Sequence, residues 1–186
     1  VEFKLLAGEL LDFIDDVVKK GACAVIINEK YFKKLSEVEI PVITVKDTAI
    51  ALGDVARLWR SKLNATVIGI TGSAGKTTTK EILATLLSEK FEVNKTVANN
   101  NNHIGVPLTL LSFTKDTQIG IVEMGANHQK EIEFLCEIAQ PDYGFITNFG
   151  KAHLEGFGGV EGVIKGKSEM YAYLKSKAKS VFVNLD

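Results

Sequence analysis

A β-branched run, Thr66-Val67-Ile68-Gly69-Ile70-Thr71, ends in Gly72-Ser73-Ala74-Gly75. It passes through Lys76-Thr77-Thr78-Thr79 into apolar residues at helical spacing, Ile82, Leu83, Leu86 and Leu87. Strand, glycine turn and helix start together make a phosphate site. Backbone N–H groups and the helix N-terminus attract an anion, a lysine can reach the outer phosphates, and the hydroxyl after it can hold Mg²⁺. The spacing departs from the common four-residue gap: Ile70 stands where the first glycine would fall, leaving Gly72-x-x-Gly75-Lys76-Thr77. The candidate phosphate-binding residues are Gly72, Ser73, Ala74, Gly75, Lys76, Thr77 and Thr78.

Three further clusters follow. Asn99-Asn100-Asn101-Asn102-His103-Ile104-Gly105-Val106-Pro107 reads by itself as a turn, because asparagine tolerates turn geometry. Its place one strand after the phosphate loop makes at least one asparagine a site candidate. Glu123 ends the apolar run before Met124-Gly125-Ala126-Asn127-His128. A carboxylate there is costly to bury unless paired or metal-bound, and in a nucleotide site it is the natural second Mg²⁺ ligand beside Thr77. His153, in Ala152-His153-Leu154-Glu155-Gly156-Phe157-Gly158, could hold metal, contact phosphate or serve as a hydrogen-bonded loop histidine. Lys165 and Lys167 lie on the opening turns of the next predicted helix, where spacing alone reads either one as surface.

The elements that must position these clusters alternate. Residues 5–20 carry Leu6, Leu10, Ile14, Val17 and Val18 near helical spacing, stopped by Gly21. Strands are predicted at 22–28 and 41–45. A helix capped by Asp47 is expected to run to about Lys62, with Ile50, Val55, Leu58 and Trp59 inside. From Thr66 the strands 66–71, 91–95, 118–123, 142–148 and 180–184 alternate with helices at 76–90, 129–139 and 160–174 and an apolar stretch at 105–113. The expected fold class is α/β. A small N-terminal α/β domain, residues 1–63, precedes a P-loop-type, mostly parallel sheet with helices on both faces, residues 64–186. Every polar cluster then falls at a strand's carboxyl end, where such sheets bind ligands.

Composition narrows the class. A net charge of −1 gives no basic footprint for nucleic acid. No apolar run nears the ~20 residues that span a bilayer. Cys23 and Cys136 lack paired spacing and read as reduced core cysteines of a cytosolic protein. Val1-Glu2-Phe3-Lys4 has no signal-peptide layout and no initiator methionine, and the chain ends on a strand. A fragment of a longer protein is expected.

Taken in order, the four clusters resemble the Mur ligases, ATP-dependent amide-forming enzymes of bacterial peptidoglycan synthesis. The resemblance rests on residues 71–78, 101–107, 123–132 and 152–158; it covers 66–186 well and 1–63 loosely, around Phe13-Ile14 and Gly21-Ala22. It implies that Lys76 and the loop amides hold the ATP β- and γ-phosphates, that Thr77 and Glu123 hold one Mg²⁺, and that His153 helps hold a second. The family bridges that second ion with a carbamylated lysine, and Lys167-Ser168-Glu169-Met170-Tyr171 fits its pattern, which selects Lys167 over Lys165. Asn102 matches the asparagine of the family's Asn-x-Ile-Gly, and Asn127 and His128 are implied on the acyl-substrate side. Lys76, Lys167 and His153 are the implied catalytic residues.

The 101–107, 123–132 and 152–158 runs are most like the member whose substrates are UDP-N-acetylmuramoyl-tripeptide and D-alanyl-D-alanine. The resemblance thus implies a cytoplasmic bacterial enzyme, expected as a monomer, that joins them through an acyl phosphate. The family's third domain is expected to be absent here, so the chain alone is expected not to ligate. Two alternatives are another Mur or folylpolyglutamate-type ligase and a P-loop regulatory ATPase. The Gly125-Ala126-Asn127-His128 run argues against the first, and a regulatory ATPase gives no role to His153 before a lysine-bearing helix.

Overall fold

The computed structural model describes residues 14–35, 38–150 and 154–183. The chain forms two compact units that part at Leu52/Gly53. This division lies inside a helix, upstream of the expected boundary at Asn64-Ala65.

In the first unit, α1 (Ile14–Lys19) precedes β1 (Val25–Asn28), a short 3-10 turn (Glu29–Lys34) and β2 (Val42–Val45). The two strands pair in parallel, Val25 opposite Val42. The expected helix over residues 5–20 lies outside the described residues up to Phe13. Cys23 corrects its reading as a core cysteine: β1 begins two residues later, and the thiol sits exposed in the turn before it. Cys136 is buried as expected.

Helix α2 (Thr48–Arg60) opens on Asp47, whose carboxylate accepts from the amides of Ala49 and Ile50 at 2.8 and 3.0 Å. Its inner face differs from expectation. Ile50 and Leu58 are exposed, whereas Ala56 is buried in the second unit's core and Trp59 packs against it. Arg60 decides that rotation. Arg60 is 8% exposed, and its guanidinium donates to the carbonyls of Ala139 (3.1 Å) and Gln140 (3.2 Å) and to Asp142 Oδ2 (2.9 Å).

The second unit is a five-stranded parallel sheet in the order β4-β5-β3-β6-β7: β3 (Thr66–Thr71), β4 (Val93–Lys95), β5 (Ile119–Glu123), β6 (Tyr143–Ile146) and β7 (Ser180–Phe182). The connecting helices are α3 (Lys76–Ser88), α4 (Gly105–Leu111), α5 (Glu131–Ala139), the one-turn α6 (Leu154–Phe157) and α7 (Val160–Ser176). The chain leaves central β3 in one direction for β4 and afterwards steps the other way, to β5, β6 and β7. Right-handed crossovers then require α3 on one face and α4, α5 and α7 on the other. The cores divide in that way. Ile70, Ala84, Ile119 and Ile121 pack on the α3 side, while Val67, Val122, Met124, Leu135 and Met170 pack on the opposite side. β5 is buried at every residue, as a strand covered on both faces must be. No described helix is long and apolar enough to cross a membrane.

Asp142 anchors the end of the sheet away from the polar clusters, accepting from Arg60, from Val67 N at 2.9 Å and from Lys179 at 2.6 Å. Burial pushes its carboxyl up, but these three partners outweigh burial and hold it below the usual carboxylate range. Its contribution to stability is therefore complete above about pH 4, the ordinary carboxyl value, and is lost as pH falls through the lower folded value. Arg60→Ala is expected to lower the unfolding free energy by about 3 kcal/mol, seen as a lower urea midpoint at unchanged m. An unmoved midpoint would reduce this network to a solvated surface pair.

Candidate nucleotide site

The phosphate loop is pinned from below. Gly72 has φ +139° and a Cβ there would collide with Thr147 Oγ1, so the turn admits neither the backbone nor the bulk of another residue easily. Ser73 N donates to Asn148 O and Ala74 N to Asn148 Oδ1, both at 3.1 Å. Thr147 Oγ1 and Asn148 Nδ2 donate to Ala74 O at 2.6 and 3.0 Å. The residues after β6 thus shape the loop after β3. Gly75, left-handed at φ +78°, starts α3, and the first helical bond runs from Thr79 N to Gly75 O at 2.9 Å. The leading amides of α3 have no intrahelical acceptor and face outward at the positive end of the helix dipole. Lys76 folds back, donating from Nζ to Gly72 O at 2.8 Å. Burial lowers its pKa, with Glu123 acting in the opposite direction.

Glu123 is the node of the site. It ends β5 on the α3 side of the sheet and is 1% exposed. Thr77 Oγ1 donates to its Oε2 at 3.1 Å and Asn101 Nδ2 to its Oε1 at 2.9 Å. Lys80 Nζ, fully buried, lies 3.3 Å from Oε2 and donates to Ala98 O at 2.8 Å. Thr96 Oγ1 accepts from the Glu123 amide at 2.9 Å. A hydroxyl and a buried carboxylate at a helix N-terminus suit a hard cation that shares its remaining ligands with phosphate oxygens. Among the described residues, no three His, Cys, Asp or Glu side chains converge into an all-protein metal cage.

On the opposite face, α7 carries Lys167 in its second turn, 2% exposed, while Lys165 is exposed. Lys167 Nζ donates to Ala126 O at 3.4 Å and lies 5.3 Å from the centre of the Phe157 ring. That ring sits over Gly166, where a Cβ would strike it. No carboxylate among the described residues lies within ion-pair distance of Lys167. Burial pushes its pKa down to about 8, helped by the charge of Lys76 and opposed by Glu131 and Glu169. Glu169, two residues on, receives the amides of Lys130 (2.6 Å) and Glu133 (3.1 Å) and so caps α5 from α7. Thr71 Oγ1, ending β3, is the buried side-chain oxygen without a hydrogen-bond partner among the described residues.

The structure thus gathers Gly72, Ser73, Ala74, Gly75, Lys76, Thr77 and Thr78 around one helix start, with Glu123 touching Thr77. Asn102 does something else: its Oδ1 accepts from the amides of Ile104 and Gly105 at 3.0 and 2.9 Å, capping α4. The asparagine that reaches the node is Asn101. Asn127 and His128 are exposed, and both amides donate to Glu131 Oε2, at 2.6 and 3.1 Å. His153 lies outside the described residues. Sequence reasoning missed Lys80, Asn101 and the Thr147-Asn148 brace. Lys80 had one available signal, a cation on the apolar face of α3 beside Ala84.

A parallel sheet with a glycine loop, a helix N-terminus and a hydroxyl–carboxylate pair at its carboxyl edge defines a P-loop-type nucleotide-binding α/β protein. The model of the Mur ligase middle domain matches residues 70–186, and the chain belongs to the Mur ligase family. It is 39% identical to the UDP-N-acetylmuramoyl-tripeptide–D-alanyl-D-alanine ligase of Haemophilus influenzae over 96% of this chain and 40% of that protein. Against the Escherichia coli ligase of the same name it is 38% identical, over 92% and 38%. A crystal structure of MurF from Acinetobacter baumannii superposes with TM-score 0.78 at 40% identity, covering 90% of this chain and 37% of that one. MurF ligase from Thermotoga maritima in complex with ADP superposes with TM-score 0.76 at 39% identity, over 87% and 37%. The chain spans about 40% of the length of the curated relatives it matches.

Proposed function

We propose that this chain is the ATP-binding part of a cytoplasmic, monomeric ligase that joins D-alanyl-D-alanine to UDP-N-acetylmuramoyl-tripeptide in peptidoglycan synthesis. The observation that carries the reading is Lys167, an ammonium buried against a carbonyl and an aromatic ring instead of a carboxylate. A buried unpaired cation is costly. A pKa near 8 leaves part of the amine neutral at physiological pH, the form that adds CO₂ and loses a proton to become a carbamate. Carbamylation turns this cation into an anion fit for a metal.

Each residue then has a role. Lys76 and the leading amides of α3 hold the β- and γ-phosphates, Asn101 steadies Glu123, and Asn102 shapes the same loop by capping α4. Thr77 and Glu123 hold one Mg²⁺; His153 and carbamylated Lys167 hold a second. Mg²⁺ supplies charge neutralisation on the transferring phosphoryl group. Asn127 and His128 face the acyl substrate. The tripeptide's terminal carboxylate attacks the γ-phosphorus, releasing ADP and giving an acyl phosphate; the amine of D-alanyl-D-alanine then displaces phosphate and forms the amide. The chain's own contribution is positioning and a fixed positive field, which cost no reorganisation at the moment of reaction. Residues 1–63 are assigned to the UDP-substrate domain and 64–186 to the ATP-binding domain.

Phosphate release by the full-length protein with Mg·ATP, the tripeptide and a panel of amines tests this. Release is expected when the tripeptide and D-alanyl-D-alanine are both present. Release with a different amine would move the enzyme within its family, and release with neither co-substrate would mark a regulatory ATPase.

A further inference from the structure

Lys80 has no part in the chemistry above, yet it is the largest fully buried side chain beside it. Its stem runs along the apolar side of α3 next to Ala84. Its Nζ ends between two acceptors, Glu123 Oε2 at 3.3 Å and Ala98 O at 2.8 Å. Ala98 adopts φ +51°, a left-handed conformation that is unusual for alanine and needs surrounding structure to hold it. Its carbonyl opens the asparagine run whose Asn101 donates to the other oxygen of Glu123. Glu81 also lies 3.7 Å from Lys80 Nζ, but it is half exposed and engaged by Lys95 at the surface. One ammonium therefore ties the carboxylate at the end of β5 to the loop after β4.

We infer that Lys80 is a positioning residue that occupies the cation's electrostatic place at Glu123 until nucleotide arrives. The inference rests on the nucleotide-site reading above. Glu123 contributes one negative charge, and Lys80 and Lys76 contribute two positive charges around it. Without phosphates the surroundings of the buried Glu123 carboxylate are thus net positive, and a bare divalent cation is repelled at short range. Triphosphate reverses the sign, so metal enters with nucleotide. Lys80 also holds Glu123 in place meanwhile, because its Nζ is itself anchored on Ala98 O while lying 3.3 Å from Oε2.

The test is Mn²⁺ binding followed by electron paramagnetic resonance at pH 8 on the full-length protein, with and without ADP. The wild type is expected to bind Mn²⁺ with ADP and to take up little Mn²⁺ alone. Lys80→Met, which keeps the stem and removes the charge, is expected to bind Mn²⁺ without ADP at least about tenfold more tightly than the wild type. Adding Glu123→Gln to it should abolish that gain. Wild type that binds Mn²⁺ alone as tightly as with ADP would overturn the inference, and that arm stands even if Lys80→Met does not fold. A folded Lys80→Met with unchanged Mn²⁺ affinity would also overturn it while leaving the nucleotide site intact. Failure of the wild type to bind Mn²⁺ with ADP would instead overturn the nucleotide-site reading beneath it.

Discussion

Lys167→Ala in the full-length protein is expected to reduce amide formation on the order of a thousandfold, the scale set by losing one preorganised electrostatic group. The fold should survive it. The lysine is held by a single long contact to Ala126 O and by the Phe157 ring, so truncation removes a desolvated charge and breaks no ion pair among the described residues. The carbamate reading adds two sharper expectations. First, the space left by alanine should admit a short carboxylic acid that restores part of the activity by returning a carboxylate to the site. Second, the carbamate signal from ¹³CO₂ in the wild type should rise with pH. With a pKa of about 8, the neutral fraction of the amine grows roughly fivefold between pH 7 and 8. The sign for stability runs the same way. The folded value lies below the unfolded value of 10.5, so the unfolded chain holds more protons between about pH 8 and 10.5 and stability climbs across that window. Full activity in Lys167→Ala, or a carbamate signal that ignores pH, would return Lys167 to a buried structural cation.

Glu123→Ala carries the second large effect, and it acts on two properties at once. Removing the carboxylate deletes the partner of Thr77, Asn101 and Lys80 together. Lys80 is then left buried with only the half-exposed Glu81 as counter-charge, which is expected to cost about 3 kcal/mol in unfolding free energy. Activity with Mg·ATP should fall by two to three orders of magnitude or so, as a metal ligand is lost with its supporting contacts. Glu123→Gln separates the two properties. The amide keeps an oxygen for Thr77 and most of the volume, so the melting temperature should recover in part while the Mg²⁺-dependent activity does not. Equal recovery of both would mean that Glu123 is an element of packing, whatever Thr77 does.

The phosphate loop was legible because its requirements are local. Two glycines with positive φ, a lysine and a hydroxyl at a helix start can be recognised within eight residues. Glu123 was legible because a carboxylate at the end of an apolar strand has to be explained by a partner. Lys167 was separated from Lys165 by resemblance alone, and the structure adds the physical reason: the two residues point to different sides of α7, one inward over Phe157 and one to solvent. The inner face of α2 was misread because Ile50 and Leu58 look like core residues, whereas a buried arginine sets the helix rotation through carbonyls roughly eighty residues away. Cys23 was misread for a similar reason, since its apolar neighbours belong to a strand that starts after it.

The sequence by itself determined the alternation of strand and helix, the short spacing of the glycine loop and its place between β3 and the start of α3. These follow from side-chain periodicity and backbone conformation over a few residues. The tertiary structure decided the strand order β4-β5-β3-β6-β7, and through it everything that depends on distant segments meeting. Placing β5 beside β3 brings Glu123 to Thr77. Placing β6 on the other side braces the loop with Thr147 and Asn148. Packing α3 onto β4 and β5 buries Lys80 against Glu123 and selects Asn101 over Asn102. Such pairings join residues distant in sequence, 22 positions from Asn101 to Glu123 and 74 from Ala74 to Asn148, and what fixes them is the burial of both sheet faces at once, which no local pattern encodes.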